Sequence, residues 1–206
     1  DGPVGNCARS DMCCFSFHPV KTITTGEGGA VTTNDPELAE RLRTFRHHGI
    51  RPTPANGAWS YAIDEIGYNY RLTDIQAALG SSQLAKLDKF VFRRGELASV
   101  YDQSFRDHPG VVSPPTAPAG TVHGRHLYPI RVANRDEVYT ELHARGIATQ
   151  VHYVPIHTQP AYAHATQACP RTDQAYAELL SLPLFPSLTP DEQDHVINSV
   201  LEVTRP

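Results

Sequence analysis

The stretch SFHPVKTITTGEGGAV, Ser16 to Val31, sets one lysine in a polar loop between an aromatic-flanked histidine and a cluster of glycines. The apolar run DMCCFSF just ahead suits a buried strand, and TITTGEGGAVTT reads as two strands joined by a glycine turn. Lys21 is therefore expected at the mouth of a hairpin. A lysine amine is almost wholly protonated at neutral pH because its unperturbed pKa is about 10.4. Desolvation or a neighbouring cation favours the neutral form, which is how lysines form imines with carbonyl groups. Taken alone, Lys21 also fits a solvated loop cation. Ser16 offers a hydroxyl to a phosphate, and Gly26, Gly28 and Gly29 let backbone approach a bound group closely, although GEGG as a plain hairpin turn needs no ligand.

Working outward, NDPELAERLRTFRHHG carries a helix start at Asn34 and Asp35, Pro36 in the first turn, Leu38, Leu42 and Phe45 on one face, and Gly49 as the stop. Residues 50–62 hold Pro52, Pro54, Asn56 and Gly57 without periodicity and read as a loop, with GYNYR as a further irregular segment. Thr73 and Gln76 have capping-box spacing for a helix through Ile75, Leu79, Leu84 and Leu87, continuing with a bend to about Phe105. The stretch 108–124, with Pro109, Pro114, Pro115 and Pro118, reads as an exposed connection. Beyond it, HLYPIRV and ATQVHYV are strand-like, while RDEVYTELHARG, TDQAYAELLSL and TPDEQDHVINSVLEV are helical, the last with Thr189, Pro190 and Glu192 in capping-box spacing. The expected class is α/β, in two parts, 1–90 and 91–206.

The 206 residues are 40% hydrophobic and 19% charged, ordinary for one large or two small globular domains. The formal charge of -4 and the lack of a basic run argue against a nucleic-acid partner. No stretch approaches the roughly 20 apolar residues that span a bilayer, and no leader pattern opens the chain, so a cytoplasmic protein with no membrane partner is expected. Cys7, Cys13, Cys14 and Cys169 lack the spacing of a disulfide framework and are read as reduced thiols. The chain opens DGPVGNC without an initiator methionine, its only Met being Met12, and is read as a fragment of something longer. Eleven histidines, including His47 and His48, form no H-E-x-x-H or zinc-like Cys/His quartet, so no metal is expected.

Four blocks in order, SFHPVKTITTGEGGAV, GYNYRLTDIQAALGSSQLAKLDKF, QVHYVPIHTQPAY and LSLPLFPSLTPDEQ, resemble the pyridoxal-phosphate-dependent nucleotide-sugar aminotransferases of the DegT/DnrJ/EryC1/StrS family, over nearly the whole chain. The wording around Lys21 is most similar to the pseudaminic-acid branch, which aminates a UDP-4-keto-6-deoxy-N-acetyl-hexosamine. The resemblance implies the C-terminal part of a fold-type I pyridoxal 5'-phosphate-dependent transferase: the end of the cofactor-binding large domain in 1–90 and a small α/β domain in 91–206. It implies that Lys21 bonds covalently to the cofactor and later moves the proton between cofactor and substrate carbon. Ser16 matches a phosphate-binding serine. Asn69 matches an asparagine that reaches the cofactor phosphate of the neighbouring subunit, which implies a homodimer with shared active sites. His152, Tyr153 and His157 lie in the segment that resembles the one closing over the sugar-nucleotide.

Bottom-up, Asn69 is a turn former as readily as a ligand, and Arg71 is either a phosphate or carboxylate partner or a structural ion-pair member. Family members carry, upstream of the lysine, an acidic residue against the pyridine nitrogen and a side chain covering the ring. Only twenty residues precede Lys21, so neither is expected in this chain. Two readings follow: an aminotransferase using glutamate as donor, of which this chain alone is inactive, or a non-catalytic subunit of the same fold. A metal hydrolase using the histidines is a distant third. Lys21 argues against the family's dehydratase branch, where a histidine stands at that position.

Overall fold

The computed structural model describes residues 2–164 and 168–205, and the chain divides into two compact units, Asp1–Leu87 and Asp88–Pro206. In the first, β1 (Cys13–Ser16) pairs antiparallel with β2 (Gly29–Thr32), Cys13 opposite Thr32 and Ser16 opposite Gly29. The expected strand over TITT does not form. Its threonines bond locally instead: Thr24 Oγ1 donates to the Phe17 carbonyl at 2.9 Å, and Thr25 Oγ1 to the Glu27 carbonyl at 2.7 Å. Such side-chain bonds offer the backbone an alternative to a ladder. Residues 17–28 thus form one structured connection, with Lys21 inside it.

Helix α1 (Pro36–Phe45) starts as its sequence requires, Asp35 Oδ1 accepting from the Glu37 and Leu38 amides. The segment expected as a loop contains a short hairpin, β3 (Ile50–Pro52) with β4 (Tyr61–Ile63), around a 3-10 turn at Pro54–Asn56. Three residues per strand fall below what periodicity detects. Helix α2 (Asp74–Leu84) carries the complete Thr73/Gln76 capping box.

The second unit holds the hydrophobic core. Helix α3 (Leu87–Phe105) contributes Leu97, Ala98, Tyr101 and Phe105, and the antiparallel pair β5 (Tyr128–Arg131) and β6 (Leu179–Leu182) contributes Tyr128, Ile130, Leu180 and Leu182. Helices α4 (Arg135–Ala144) and α6 (Pro190–Val203) pack on each other and add Val138, Leu142, Val196, Ile197 and Val200. Fully burying one such aliphatic side chain contributes about 1.5–3 kcal/mol.

Helix α5 (Pro170–Glu178) is shorter than TDQAYAELLSL suggests. Leu179–Leu182 leaves the helix to pair with β5, because burying Leu180 and Leu182 there outweighs leucine's helix preference. ATQVHYV forms no full strand: it meets β6 only through a Gln150–Ser181 bridge. Arg94, 4% exposed, donates to the carbonyls of Leu184, Arg125 and His126, and burial pushes its pKa down. No helix among the described residues is long and apolar enough to cross a membrane.

Candidate active site

Lys21 is half-buried in the connection between β1 and β2. A turn places it: the Lys21 amide donates to the His18 carbonyl at 2.9 Å, with Pro19 at the position where its fixed φ favours such a turn. The connection is closed at its base, Phe17 N–H donating to Gly28 O at 2.9 Å and Thr25 N–H to Phe17 O at 3.0 Å. Thr25, 3% exposed, is the hub. A Cβ on Gly28, whose φ is +150°, would come within 2.4 Å of Thr25 Oγ1 and 2.7 Å of Leu72 Cδ2. A Cβ on Gly29 would meet the Phe15 carbonyl at 2.6 Å. The glycines are therefore required by packing against the loop's own residues, while a Cβ on Gly26 would meet nothing within 4 Å. Helix α2 braces the turn, Gln76 Nε2 donating to the Glu27 carbonyl at 3.0 Å.

Ser16 ends β1 and is exposed; its Oγ accepts from the His18 amide at 3.4 Å, which leaves its own hydrogen to donate. A hydroxyl donor on a strand end, a lysine held by a proline turn five residues on, and open space at Gly26 together fit a phosphate-bearing carbonyl compound such as pyridoxal phosphate.

Asn69 sits apart in sequence but is held firmly. It bridges His47, and the flanking amides of Tyr68 and Tyr70 donate to the Phe45 and Arg46 carbonyls at 2.7 and 3.0 Å. Its Oδ1 lies 3.4 Å from Arg71 Nη2.

In the second unit, the His152 ring bonds Ser181 Oγ at 2.9 Å through Nδ1 and meets Tyr153 edge-on at 4.7 Å between centroids. Tyr153 is 64% exposed. His157 Nε2 pairs with Asp173 Oδ1 on α5 at 2.8 Å. The structure thus joins His152 to Tyr153 and gives His157 a different partner. Sequence reasoning missed Thr24, Thr25 and Asp173, whose roles depend on contacts that no local pattern announces. Among the described residues no three His, Cys, Asp or Glu side chains gather as a metal set.

Residues 1–201 match the model of the DegT/DnrJ/EryC1/StrS aminotransferase family. The chain is 41% identical over 200 residues to the dTDP-3-amino-3,4,6-trideoxy-alpha-D-glucose transaminase of Streptomyces venezuelae, covering 95% of this chain and 51% of that protein. It is 37% identical over 206 residues to the UDP-4-amino-4,6-dideoxy-N-acetyl-beta-L-altrosamine transaminase of Helicobacter pylori, covering 97% and 53%. The solved structure of Helicobacter pylori PseC, described as an aminotransferase involved in the biosynthesis of pseudoaminic acid, superposes with a TM-score of 0.88 at 35% identity, over 95% of this chain and 53% of that one. The chain spans about half the length of these relatives. With the family model matched over almost all its residues and the same fold in the solved relatives, the chain belongs to the DegT/DnrJ/EryC1/StrS aminotransferase family.

Proposed function

We propose that the chain works within a pyridoxal-phosphate-dependent aminotransferase that moves an amino group from glutamate to C4 of a UDP-4-keto-6-deoxy-N-acetyl-hexosamine. The observation that carries the reading is the Ser16 and Lys21 arrangement: an exposed hydroxyl at the end of β1 and a lysine fixed by the following turn. When bound, the cofactor supplies an electron sink beside the carbon that gains or loses the amine. Lys21 would hold it covalently at rest, and once the incoming amine takes the place of Nζ in that bond, the freed Nζ would move the proton between the cofactor and the carbon of the donor or the sugar. The Ser16 hydroxyl donates to the phosphate, and Asn69 serves the phosphate of the partner copy in a homodimer. His152, Tyr153 and His157 contact the sugar-nucleotide. Residues 1–90 belong to the cofactor domain and 91–206 to the small domain.

Incubation with pyridoxal phosphate followed by borohydride reduction should add one pyridoxyl group to the peptide containing Lys21, and Lys21→Ala should abolish that adduct. Labelling spread equally over Lys86 and Lys89 would sink the assignment.

One observation favours a second reading, a non-catalytic subunit of the same fold: all the hydrophobic residues that are fully buried among those described lie in the second unit. In that case the chain would assemble with a relative yet show no adduct at Lys21.

A further inference from the structure

The chain ahead of β1 lies against one face of the β1–β2 pair and is fastened there. Thr32 Oγ1 donates to the Gly5 carbonyl at 2.8 Å, Asn34 Nδ2 to those of Asn6 and Cys7 at 2.8 and 3.3 Å, and Thr33 Oγ1 to that of Asp11 at 2.6 Å. A Cβ on Gly5 would come within 2.6 Å of the Phe15 ring, so the segment approaches the face that carries Phe15. Cys13 shares that face, because side chains two residues apart on a strand point the same way. Cys7 is held at φ 51°, and a non-glycine residue persists in that region only where its surroundings fix it.

Two free, half-buried thiols bear on Thr32 from this face. Cys7 Sγ is 3.3 Å from the Thr32 carbonyl oxygen and 3.5 Å from its Oγ1. Cys13 stands directly opposite Thr32 in the strand register. Opposed residues of an antiparallel pair carry their side chains on the same face, with Cβ atoms about 4.5–5.5 Å apart. The ladder also fixes where the Thr32 carbonyl points. Phe17 N–H donates to Gly28 O at 2.9 Å, and bonded pairs recur at every second residue, so the Thr32 carbonyl is turned toward Cys13. Cys7 Sγ therefore lies on the Cys13 side of Thr32. Cys7 and Cys13 also line one cleft of about 280 Å³, bounded by residues 2–10. Cys14, the next residue, is exposed on the opposite face.

We propose that Cys7 and Cys13 are an oxidisable pair that closes to a disulfide and staples the leading segment to β1. The oxidant is a low-molecular-weight disulfide such as glutathione disulfide. The thiolate of one cysteine attacks a sulfur of that disulfide, releasing one glutathione and leaving a mixed disulfide. The thiolate of the other then attacks the protein sulfur and releases the second glutathione. The two protein thiols lose two electrons and two protons, and glutathione disulfide gains them. The ring so closed, Cys7 to Cys13, holds seven residues. Because β1 runs from Cys13 to Ser16, the staple braces the strand that leads to Lys21 without using a residue of the proposed cofactor site. It does not depend on the pyridoxal-phosphate reading.

The test treats the reduced, folded chain with glutathione disulfide, blocks the remaining thiols by alkylation and digests with trypsin without reductant. Cleavage after Arg9 and Lys21 parts Cys7 from Cys13 and Cys14, so a bridge joins two peptides, and their fragment masses tell Cys13 from Cys14. In the folded chain the Cys7–Cys13 link should exceed the Cys7–Cys14 link by about tenfold or more, because closure demands a specific geometry. In the chain unfolded by guanidinium the two links should form in comparable amounts. Cys14→Ser should keep the native bridge. Cys13→Ser should lose it and leave Cys7 carrying glutathione. The amides of β1 and β2 should exchange with deuterium more slowly in the oxidised chain than in the reduced one. A Cys7–Cys14 link as abundant as Cys7–Cys13 in the folded chain, glutathione adducts on both cysteines without closure, or exchange unchanged by the bridge overturns the inference.

Discussion

Ser16 and Gly28 separate chemistry from architecture within one loop. Ser16 is exposed and, among the described contacts, its hydroxyl only accepts one amide while its backbone pairs with Gly29, so Ser16→Ala should leave the fold unchanged. It should loosen cofactor retention by roughly tenfold to a hundredfold, the value of a hydrogen bond to a charged phosphate, read by pyridoxal phosphate titration. Gly28→Ala should act the other way. Its Cβ would strike Thr25 Oγ1, at a φ that L residues rarely adopt, so the loop must open and Lys21 trapping should slow although no functional side chain is changed. A Gly28→Ala protein that traps at the parental rate would show that the turn is more pliable than its contacts indicate. The type of residue at 16 and 21 was legible in the string itself. The burial of Thr25 was not, because its methyl packs beside Gly80, far along the chain, where an added Cβ would come within 2.9 Å of it.

Capping boxes are the elements where sequence and structure agree most closely. Thr189 and Glu192 satisfy each other's amides at the start of α6, and Thr73 and Gln76 do the same for α2. Thr189→Ala should cost about 0.5–2 kcal/mol in urea unfolding. The Thr189 bonds hold the Glu192 carboxyl below its ordinary range. A carboxyl with a depressed folded pKa stabilises the fold above the unfolded value, and that contribution is lost as pH falls through the folded one. Glu192→Gln should therefore lower the neutral plateau and flatten the acid limb of stability against pH, with the least change at pH below the folded pKa. The elements that escaped pattern reading share another cause. β3, β4 and β6 are three or four residues long, and each exists because its partner strand lies opposite, not because its own residues prefer extension.

The two units differ in what sustains them. Asp88–Pro206 encloses a continuous core, so its amides in α3 and α6 should exchange last with deuterium. Leu142→Ala, at a position 0% exposed, should cost about 2–5 kcal/mol. Asp1–Leu87 instead exposes Trp59, Ile66 and Ile75 at 82%, 88% and 84%, and each of its two described sheets has only two strands. Two-stranded hairpins are marginal alone, so its amides should exchange orders of magnitude faster. Protection in the first unit equal to that in α3 would contradict this. In the proposed homodimer, mixing full-length Lys21→Ala and Asn69→Ala proteins should restore part of the activity, because one of the two shared sites is then intact. Heterodimers confirmed by mass but without activity would place Asn69 in its own subunit's site.

Local chemistry determined the helix starts, the proline turn before Lys21, the α/β class and the family, since caps, turns and the four matched blocks are written in adjacent residues. Tertiary structure alone decided that TITT is a looped brace and not a strand, that Leu179–Leu182 leaves its helix for β5, and that His157 answers to Asp173 and not to His152. It also set Asn69 opposite His47 in an isolated bridge. The physical reason is common to all four: the energy that chooses between a strand, a helix and a loop, or that pairs one charged group with another, comes from atoms distant in sequence, and periodicity carries no information about which distant segment will arrive.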